Sequence, residues 1–501
     1  MPWSTDLRRH LLDNFPLEEG ISPIPEDILL EPKWILTLVD ESTKSSDHPT
    51  TDGDLYEISN PPIDGDSPRK QVEEPDGRLS VTMQENKRLT PSSHWQDVRH
   101  IMLASKSAAA YDPGDVVTLY PKNFSEDVDS FLDMMDWTSV ADRQLDFVWT
   151  GSGSSRKLRS VPPVSIRPEC RKLTLRELLT SYLDLTAIPR RSFFSLIAQF
   201  TQDQFHKERL LEFTKPEFID ELYDYTTRPR RSIPEVLQEF TSVRIPWQWA
   251  ANVLPELRGR QFSIASGGQL KRTATGESCF DLLVAIVKYK TVIKKVREGV
   301  CTRYLAALSP GAEMIVTLQK GGLGITKGEA RRPVVMIGPG TGVAPMRSLI
   351  WERLQWAKEL KNQNQNHQNG NGNGTTNGFH GVGESVLFFG SRNKDSDYFY
   401  QEEWKDLKSK MPLQVFTAFS RDQKEKVYVQ DLIRQQSSLI FRLLHHSGGI
   451  VYVCGSSGKM PQAVRGALIE IFKKCGDMQQ GTAEGYLRYM EKEGRYRQET
   501  W

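Results

Sequence analysis

Cysteine is scarce in this chain, and what there is shows no pairing pattern. Cys170, Cys279, Cys301, Cys454 and Cys475 include no CxxC pair and no His/Cys cluster at metal-ligand spacing. That argues against a structural zinc or a resident iron–sulfur cluster, and favours a reducing compartment over secretion. Neither sign of charge is in excess: 65 Lys and Arg stand against 64 Asp and Glu. Bulk electrostatics therefore point to no nucleic-acid or membrane-surface partner, and any steering must come from local patches. No run approaches the ~20 apolar residues that a membrane span needs. The opening MPWSTDLRRHLLDNF also lacks the apolar region of a signal peptide, so a cytoplasmic protein is expected.

What is present is organised around Arg331 to Leu354, RRPVVMIGPGTGVAPMRSLIWERL. An apolar run, Val334 to Ile337, fits a buried parallel strand. Gly338, Gly340 and Gly342 follow at alternate positions, and then Met346, Leu349, Ile350 and Leu354 recur at helical spacing. This strand, tight turn and helix would let backbone N–H groups at a helix N-terminus meet a phosphate, since glycine puts no side chain in the way. The spacing is not the dinucleotide fingerprint GxGxxG, and a turn that merely closes a strand onto a helix would look the same.

With 501 residues the chain is long enough for about three domains. Asp6 to Phe15 reads as a helix followed by the Pro-punctuated connector SPIPEDILLEP, and Lys33 to Asp40 as a strand. Glu41 to Arg78 turns acidic and Pro/Gly-rich, a surface loop or disordered insertion. Val98, Ile101 and Leu103 alternate as a strand does, and Tyr111 to Pro121 is a turn feeding another, a plausible barrel start. Between 125 and 250 the apolar spacing becomes helical after Ser, Thr or Asp caps, an inserted helical segment. Strand patterns return at Arg260 to Ser266, Asp281 to Lys290 and Glu313 to Gln319, with a helix from Gly299 to Leu308. Lys361 to Gly383, KNQNQNHQNGNGNGTTNGFHGVG, is too polar to pack and should loop out. The last quarter alternates strand and helix, which implies a parallel sheet with right-handed crossovers. A ligand would lie at the carboxyl ends of those strands, where GPGTG, Ser420–Arg421 and CGSSGK fall.

The motifs RQFS, GVCT and GPGTGVAP, in this order and at these separations, resemble those of the FAD-containing NADPH reductases related to cytochrome P450 reductase and ferredoxin-NADP reductase, over about residues 31 to 501. The details RRSFFSLIAQF, RPRRSIPEVL, SRDQKEKVYVQ and the final RYRQETW bring the resemblance closer, to the NADPH-dependent diflavin oxidoreductases of cytosolic iron–sulfur protein assembly. It implies an α+β and α/β architecture. Residues 1–30 would be a connector, and 31–332 an antiparallel β-barrel FAD domain containing the 41–78 loop and the 125–250 helical insertion. Residues 333–501 would be a parallel α/β NADPH domain with the 361–383 loop. The N-terminal FMN domain of the family, of flavodoxin type, is expected to be missing.

The resemblance also implies roles. Arg260 would hold the FAD pyrophosphate through its fork, beside Gln261. Phe262 would stack on the flavin and the Ser263 hydroxyl would bond its N5. Gly299, Val300, Cys301 and Thr302 would meet the FAD pyrophosphate, with Arg230 as a further contact. Phe262 as a plain inward strand residue and Arg230 as part of a solvated basic run are the competing readings. Thr341 would meet the NADPH pyrophosphate. Ser420, Arg421, Lys426, Val427, Tyr428, Val429 and Gln430 offer the hydroxyls and cations that a 2′-phosphate wants, so NADPH is expected over NADH. Cys454, either a core residue or a neighbour of the hydride-transfer position, would act with Ser263 and Glu499, the latter standing where P450 reductase has Asp. Trp501 would cover the flavin face as a movable gate.

The expected reaction is hydride transfer from NADPH to FAD, then single-electron release to an FMN domain and onward to an anamorsin-type iron–sulfur protein. FMN itself would enter only with a separate or missing domain. The compartment would be the cytoplasm, with a mitochondrial pool by resemblance. A non-catalytic FAD-binding partner is the alternative.

Overall fold

A computed structural model describes residues 2–16, 31–39, 77–150, 162–167, 170, 172–367 and 381–501. Residues 17–30 of the expected connector, Asp40 at the end of the first expected strand, 41–76 of the acidic loop and 368–380 of the polar run lie outside the described residues. The strands, in chain order, are β1 (Trp34–Leu38), β2 (Arg78–Arg88), β3 (Val98–Ser105), β4 (Val116–Leu119), β5 (Leu145–Trp149), β6 (Arg260–Ser263), β7 (Ser278–Ala285), β8 (Lys288–Lys290), β9 (Val296–Glu298), β10 (Glu313–Gln319), β11 (Val334–Ile337), β12 (Ser385–Ser391), β13 (Leu413–Phe419), β14 (Ile450–Gly455) and β15 (Tyr496–Thr500).

Two compact units form. One draws on residues 1–72, 121–258 and 289–300. Its helices include Ser125–Met135, Leu175–Ser181, Arg191–Ile197, Gln204–Glu212 and Ile233–Glu239. Two start on side-chain caps: Thr174 accepts the Glu177 N–H at 3.1 Å and Asp203 that of His206 at 2.9 Å. Phe131, Leu132, Phe194, Leu210 and Val236 meet in one buried core. The segment is not wholly helical, because β5 pairs antiparallel with β1, Trp34 opposite Trp149.

The other unit draws on residues 73–120, 259–288 and 301–501. It begins with a six-stranded antiparallel sheet in the order β6-β4-β10-β2-β3-β7. A bridge between Ile264 and Leu282 brings its two edge strands together, so the sheet nearly closes into a barrel. Alternate residues point inward: Val81 and Met83, Ile101 and Leu103, Val117 and Leu119, Phe280 and Leu282. A parallel sheet in the order β13-β12-β11-β14-β15 follows. One of its faces, with Met336, Leu387, Phe389 and Cys454, packs on Met346, Leu349 and Ile350 of the helix Val343–His367. The opposite face, with Val335, Ile337 and Phe388, packs on Val464, Leu468 and Ile471 of the helix Met460–Gly476. Helices on both faces explain why β11 and β14 read as continuous apolar runs.

Several expectations change. Arg78 is already in an eleven-residue strand rather than at the end of a loop. The inward alternation of Leu79, Val81 and Met83 was the available signal. Residues 361–367 continue the helix Val343–His367 instead of looping out, since a helix already nucleated and packed propagates into polar sequence. The helix Gln480–Lys492 and the strand β15 were not anticipated at all. Val98, Ala265 and Leu283 of the barrel share one apolar core with Met336, Met346 and Ile350 of the sheet layer, so barrel and sheet form a single unit.

Candidate active site

The glycine turn after β11 is compelled by backbone crowding. A Cβ on Gly338 would lie 2.7 Å from the Gly342 carbonyl oxygen, and one on Gly342 would lie 2.3 Å from the carbonyl oxygen of Cys454. Gly340 has φ 58°, a left-handed conformation that side chains resist, and nothing fills the space where its Cβ would be. The chain then enters the 25-residue helix Val343–His367, whose N-terminal end presents backbone N–H groups and a positive dipole.

That turn lines a cavity of about 910 Å³ at the carboxyl ends of the parallel strands. Of the candidate residues, Thr341, Val427, Tyr428, Val429, Gln430 and Trp501 line it. Ser420, Arg421 and Lys426 do not line it. Ser420 is buried with its N–H and hydroxyl both directed at the Ser391 carbonyl, at 3.0 and 3.3 Å, while Arg421 and Lys426 are exposed. The Arg421 N–H bonds the Arg392 carbonyl at 2.8 Å, so the ends of β12 and β13 carry two arginines side by side. Arg392 itself lines the cavity, as do His94 and Trp95 from the β2–β3 loop. Sequence reasoning missed all three. A second Ser-Arg pair at a strand end, Ser391–Arg392, was the signal for the arginine; nothing local marked the loop.

On the flavin side, β6 places Phe262 opposite Val117 and Ser263 opposite Val116. Both Phe262 and Ser263 are half-buried, Gln261 is exposed, and among the described residues the Ser263 hydroxyl makes no hydrogen bond. Arg260 lies near enough to Cys301 to act on its thiol, which burial nevertheless pushes up to about 12. Thr302 is buried and its hydroxyl oxygen accepts the Val287 N–H at 3.0 Å, a structural bond beside any role toward a ligand. Arg230, Gly299 and Val300 belong to the helical unit. There Arg230 is exposed with φ 54°, and Arg297, two residues before Gly299, donates to the Pro229 carbonyl at 3.3 Å.

Ser263, Cys454 and Glu499 converge through backbone pairing rather than by lining one cavity. Cys454 pairs with Glu499 across β14 and β15. Glu499 accepts a backbone hydrogen bond from Gly322 and feels the charge of Asp115, whose own carbonyl accepts the Ile264 N–H at 3.1 Å, next to Ser263. One Glu499 carboxyl oxygen, Oε2, is buried without a partner among the described residues. The Cys454 thiol is fully buried, and burial followed by the charge of Glu499 holds its pKa well above the ordinary range. It is therefore a neutral thiol at physiological pH, able to hold a proton but not to act as a thiolate. Trp501 is 54% exposed, with its backbone pinned on both sides: its N–H bonds Gly455 at 3.1 Å and its carbonyl accepts from Ser457 at 2.9 Å.

Comparison with known proteins bears on this arrangement. A family profile described as an FAD binding domain matches residues 75–304, and one described as an oxidoreductase NAD-binding domain matches residues 336–466. The NADPH-dependent diflavin oxidoreductase 1 of Aspergillus fumigatus is 50% identical over 511 residues, covering 100% of this chain and 76% of the relative. That of Emericella nidulans is 49% identical with the same coverage, and that of Xenopus laevis 36% identical, again over 100% of this chain and 76% of the relative. The chain belongs to the NADPH-dependent diflavin oxidoreductase family.

The residues of this diflavin-family chain suit the two cofactors that its domains bind. The glycine turn, open at Gly340, lines a cavity large enough for most of a dinucleotide, Arg392 and Lys459 line it too, and a half-buried aromatic and a hydroxyl sit on β6. The unpartnered Oε2 of Glu499 is a polar atom still awaiting a donor.

Glu499 also yields a pH prediction. Burial, its largest cause, and Asp115 raise its pKa above the ordinary carboxylate value of 4.5, while the Gly322 bond opposes them. Between the unfolded and the raised folded value the native state binds more protons than the unfolded one, so stability falls as pH rises through that window. Glu499→Gln is therefore expected to melt higher than the parent at neutral pH, with the advantage fading in acid. Melting curves of both proteins across pH check this; an advantage that grows in acid would contradict it.

Proposed function

We propose that this chain takes a hydride from NADPH and passes the electrons singly to a protein acceptor, either an FMN domain or an anamorsin-type iron–sulfur protein of cytosolic iron–sulfur cluster assembly. The observation that carries this is the cavity at the strand ends, lined by Gly340 and Thr341 of the glycine turn together with Arg392, Tyr428 and Lys459. FAD, when bound, supplies the exchange of a two-electron hydride for single electrons.

The chain's own residues bind, orient and handle protons. Arg260, with Cys301 and Thr302, would meet the FAD phosphates, and Phe262 would lie against its ring. Ser263 offers a hydroxyl where the hydride would arrive, and Cys454 would hold a proton beside its strand neighbour Glu499. Thr341 and the glycine turn would take the NADPH pyrophosphate, and Ser420, Arg421, Lys426 and Tyr428 its 2′-phosphate. All five cysteines are free thiols, which suits a cytoplasmic site of action. No helix of the described residues is long and apolar enough to cross a membrane.

Arg421 tests the cofactor assignment because it is exposed and its loss should not disturb the fold. A charge-assisted bond contributes roughly 1.5 to 3 kcal/mol, so Arg421→Ala should raise the KM for NADPH by about ten- to a hundredfold. The KM for NADH should hardly move. Steady-state reduction of ferricyanide with each cofactor checks it, and equal changes with both would remove the 2′-phosphate role. Electron transfer to an added FMN domain or anamorsin-type protein, measured with the same preparation, tests the acceptor.

A further inference from the structure

Trp95 is an exposed tryptophan on a surface loop, yet the loop holds it firmly. Within the turn between β2 and β3, Thr90 donates its hydroxyl to the Gln96 carbonyl at 2.9 Å and accepts the Val98 N–H at 3.1 Å. Arg88 closes the same turn on the Thr90 and Pro91 carbonyls, at 3.0 and 2.9 Å. Next to Trp95, the buried His94 ring points its Nε2 at the Asp397 carboxylate 3.7 Å away. That carboxylate accepts the backbone N–H groups of Arg392 and Asn393 at 3.1 and 2.7 Å. The loop and the segment after β12 are thus held together, and the Trp95 indole is 57% exposed at the cavity.

Over that indole lies the Arg392 guanidinium, its central carbon 3.6 Å from the ring centroid. Arg392 makes no ion pair at contact distance among the described residues; burial and then the like charge of the nearby Arg421 lower its pKa, while the Asp397 carboxylate, which accepts its backbone N–H, acts to raise it. A guanidinium beside another cation is held by such an anion together with an electron-rich surface beneath it. Stacking uses the flat face of the guanidinium and leaves its N–H donors in the ring plane available to a ligand.

We propose that Trp95 is a positioning residue for the dinucleotide phosphates: it holds Arg392 flat so that the guanidinium fork is aimed into the cavity, at the adenosine-phosphate end marked by Arg421. The idea rests on the NADPH reading above and deepens it, since the specificity element then includes a side chain from the barrel layer.

The probe is 2′,5′-ADP, with adenosine as the uncharged control. Trp95→Ala should weaken 2′,5′-ADP by about tenfold and raise the KM for NADPH similarly, while kcat at saturation moves far less. Trp95→Phe should recover part of the loss, because a phenyl face still supports a cation. Combining Trp95→Ala with Arg392→Gln should be no worse than Arg392→Gln alone. Equal weakening of adenosine, or fully additive effects of the two changes, would show Trp95 acting directly on the base and overturn the proposal. Unchanged affinity for 2′,5′-ADP in Trp95→Ala would overturn it as well. If the unaltered holoenzyme, FAD bound, is reduced by neither NADPH nor NADH, it is the underlying cofactor reading that fails, a different result from any of these.

Discussion

Arg347→Ala should destabilise the barrel-and-sheet unit by about 3 to 5 kcal/mol, the usual cost of breaking a buried charge pair from one side. Arg347 is 5% exposed on the helix that follows the glycine turn. It donates to the Asp281 carboxylate at 2.8 Å and the Ala265 carbonyl at 3.0 Å on the barrel, and to Glu403 at 2.7 and 3.0 Å on the sheet side. Removing it strands the buried Asp281 carboxylate, which keeps the weak Cys279 thiol donor at 3.6 Å and has His100 as the nearby titratable cation, its Nε2 3.9 Å away. Burial, then the charge of Arg347, lowers the His100 pKa from 6.5, whereas Asp281 acts to raise it. In the variant the opposing cation is gone while Asp281 still favours the charged ring, so a protonated His100 takes over more readily as partner to Asp281 in acid. The destabilisation should therefore shrink as pH falls. Changing Arg347, Asp281 and Glu403 together to uncharged residues should cost less than Arg347→Ala alone, since no charge is stranded. Denaturant unfolding of the three proteins at two pH values decides it. A loss under about 1 kcal/mol at neutral pH would mean that water reaches Asp281 and that the pair is not buried in solution.

Deleting Trp501 should shift the cofactor preference of the reaction strongly toward NADH. The indole is the last side chain of the chain, lines the cavity with Thr341, Gly455 and Ser456, and is carried on a backbone pinned to β14. If it covers the flavin face, either nicotinamide must displace it. Losing an aromatic stack and its burial costs roughly 2 to 4 kcal/mol. NADPH can offset this through its 2′-phosphate contacts; NADH lacks that phosphate and cannot. Without the indole, NADH should gain on the order of a hundredfold in kcat/KM. NADPH should gain much less in turnover, because slow release of a cofactor now held too well becomes limiting. Trp501→Phe, which keeps a ring, should lie between. Stopped-flow reduction with both cofactors measures the ratio, and a ratio equal to that of the parent would eliminate the gate.

How much of this could be read before folding depends on the range of each interaction. The GPGTG turn was legible because its cause is local: strand, turn and helix are consecutive, and crowding within a few residues demands glycine. The alternating strands and helices of the last quarter were legible for the same reason, as was the likeness of RQFS and GVCT to their family. Arg78 to Arg88 was obscured by the acidic stretch before it, and β15 by the polar residues that its place at the sheet edge allows. Arg392 and Trp95 lie almost 300 positions apart, and nothing near either one announces the other.

Periodicity pointed to a parallel sheet and to the start of a barrel, and the order of the motifs, by their resemblance, to the family and its two cofactors, since strand, turn and motif each depend on neighbours within about one turn or one strand. Folding alone decided that Arg347 ties barrel to sheet, that Cys454 meets Glu499 through a strand not foreseen, and that Trp95 lies beneath Arg392. Those contacts join residues from separate elements. Their strength comes from burial and mutual charge, quantities that exist only once the chain has closed around them.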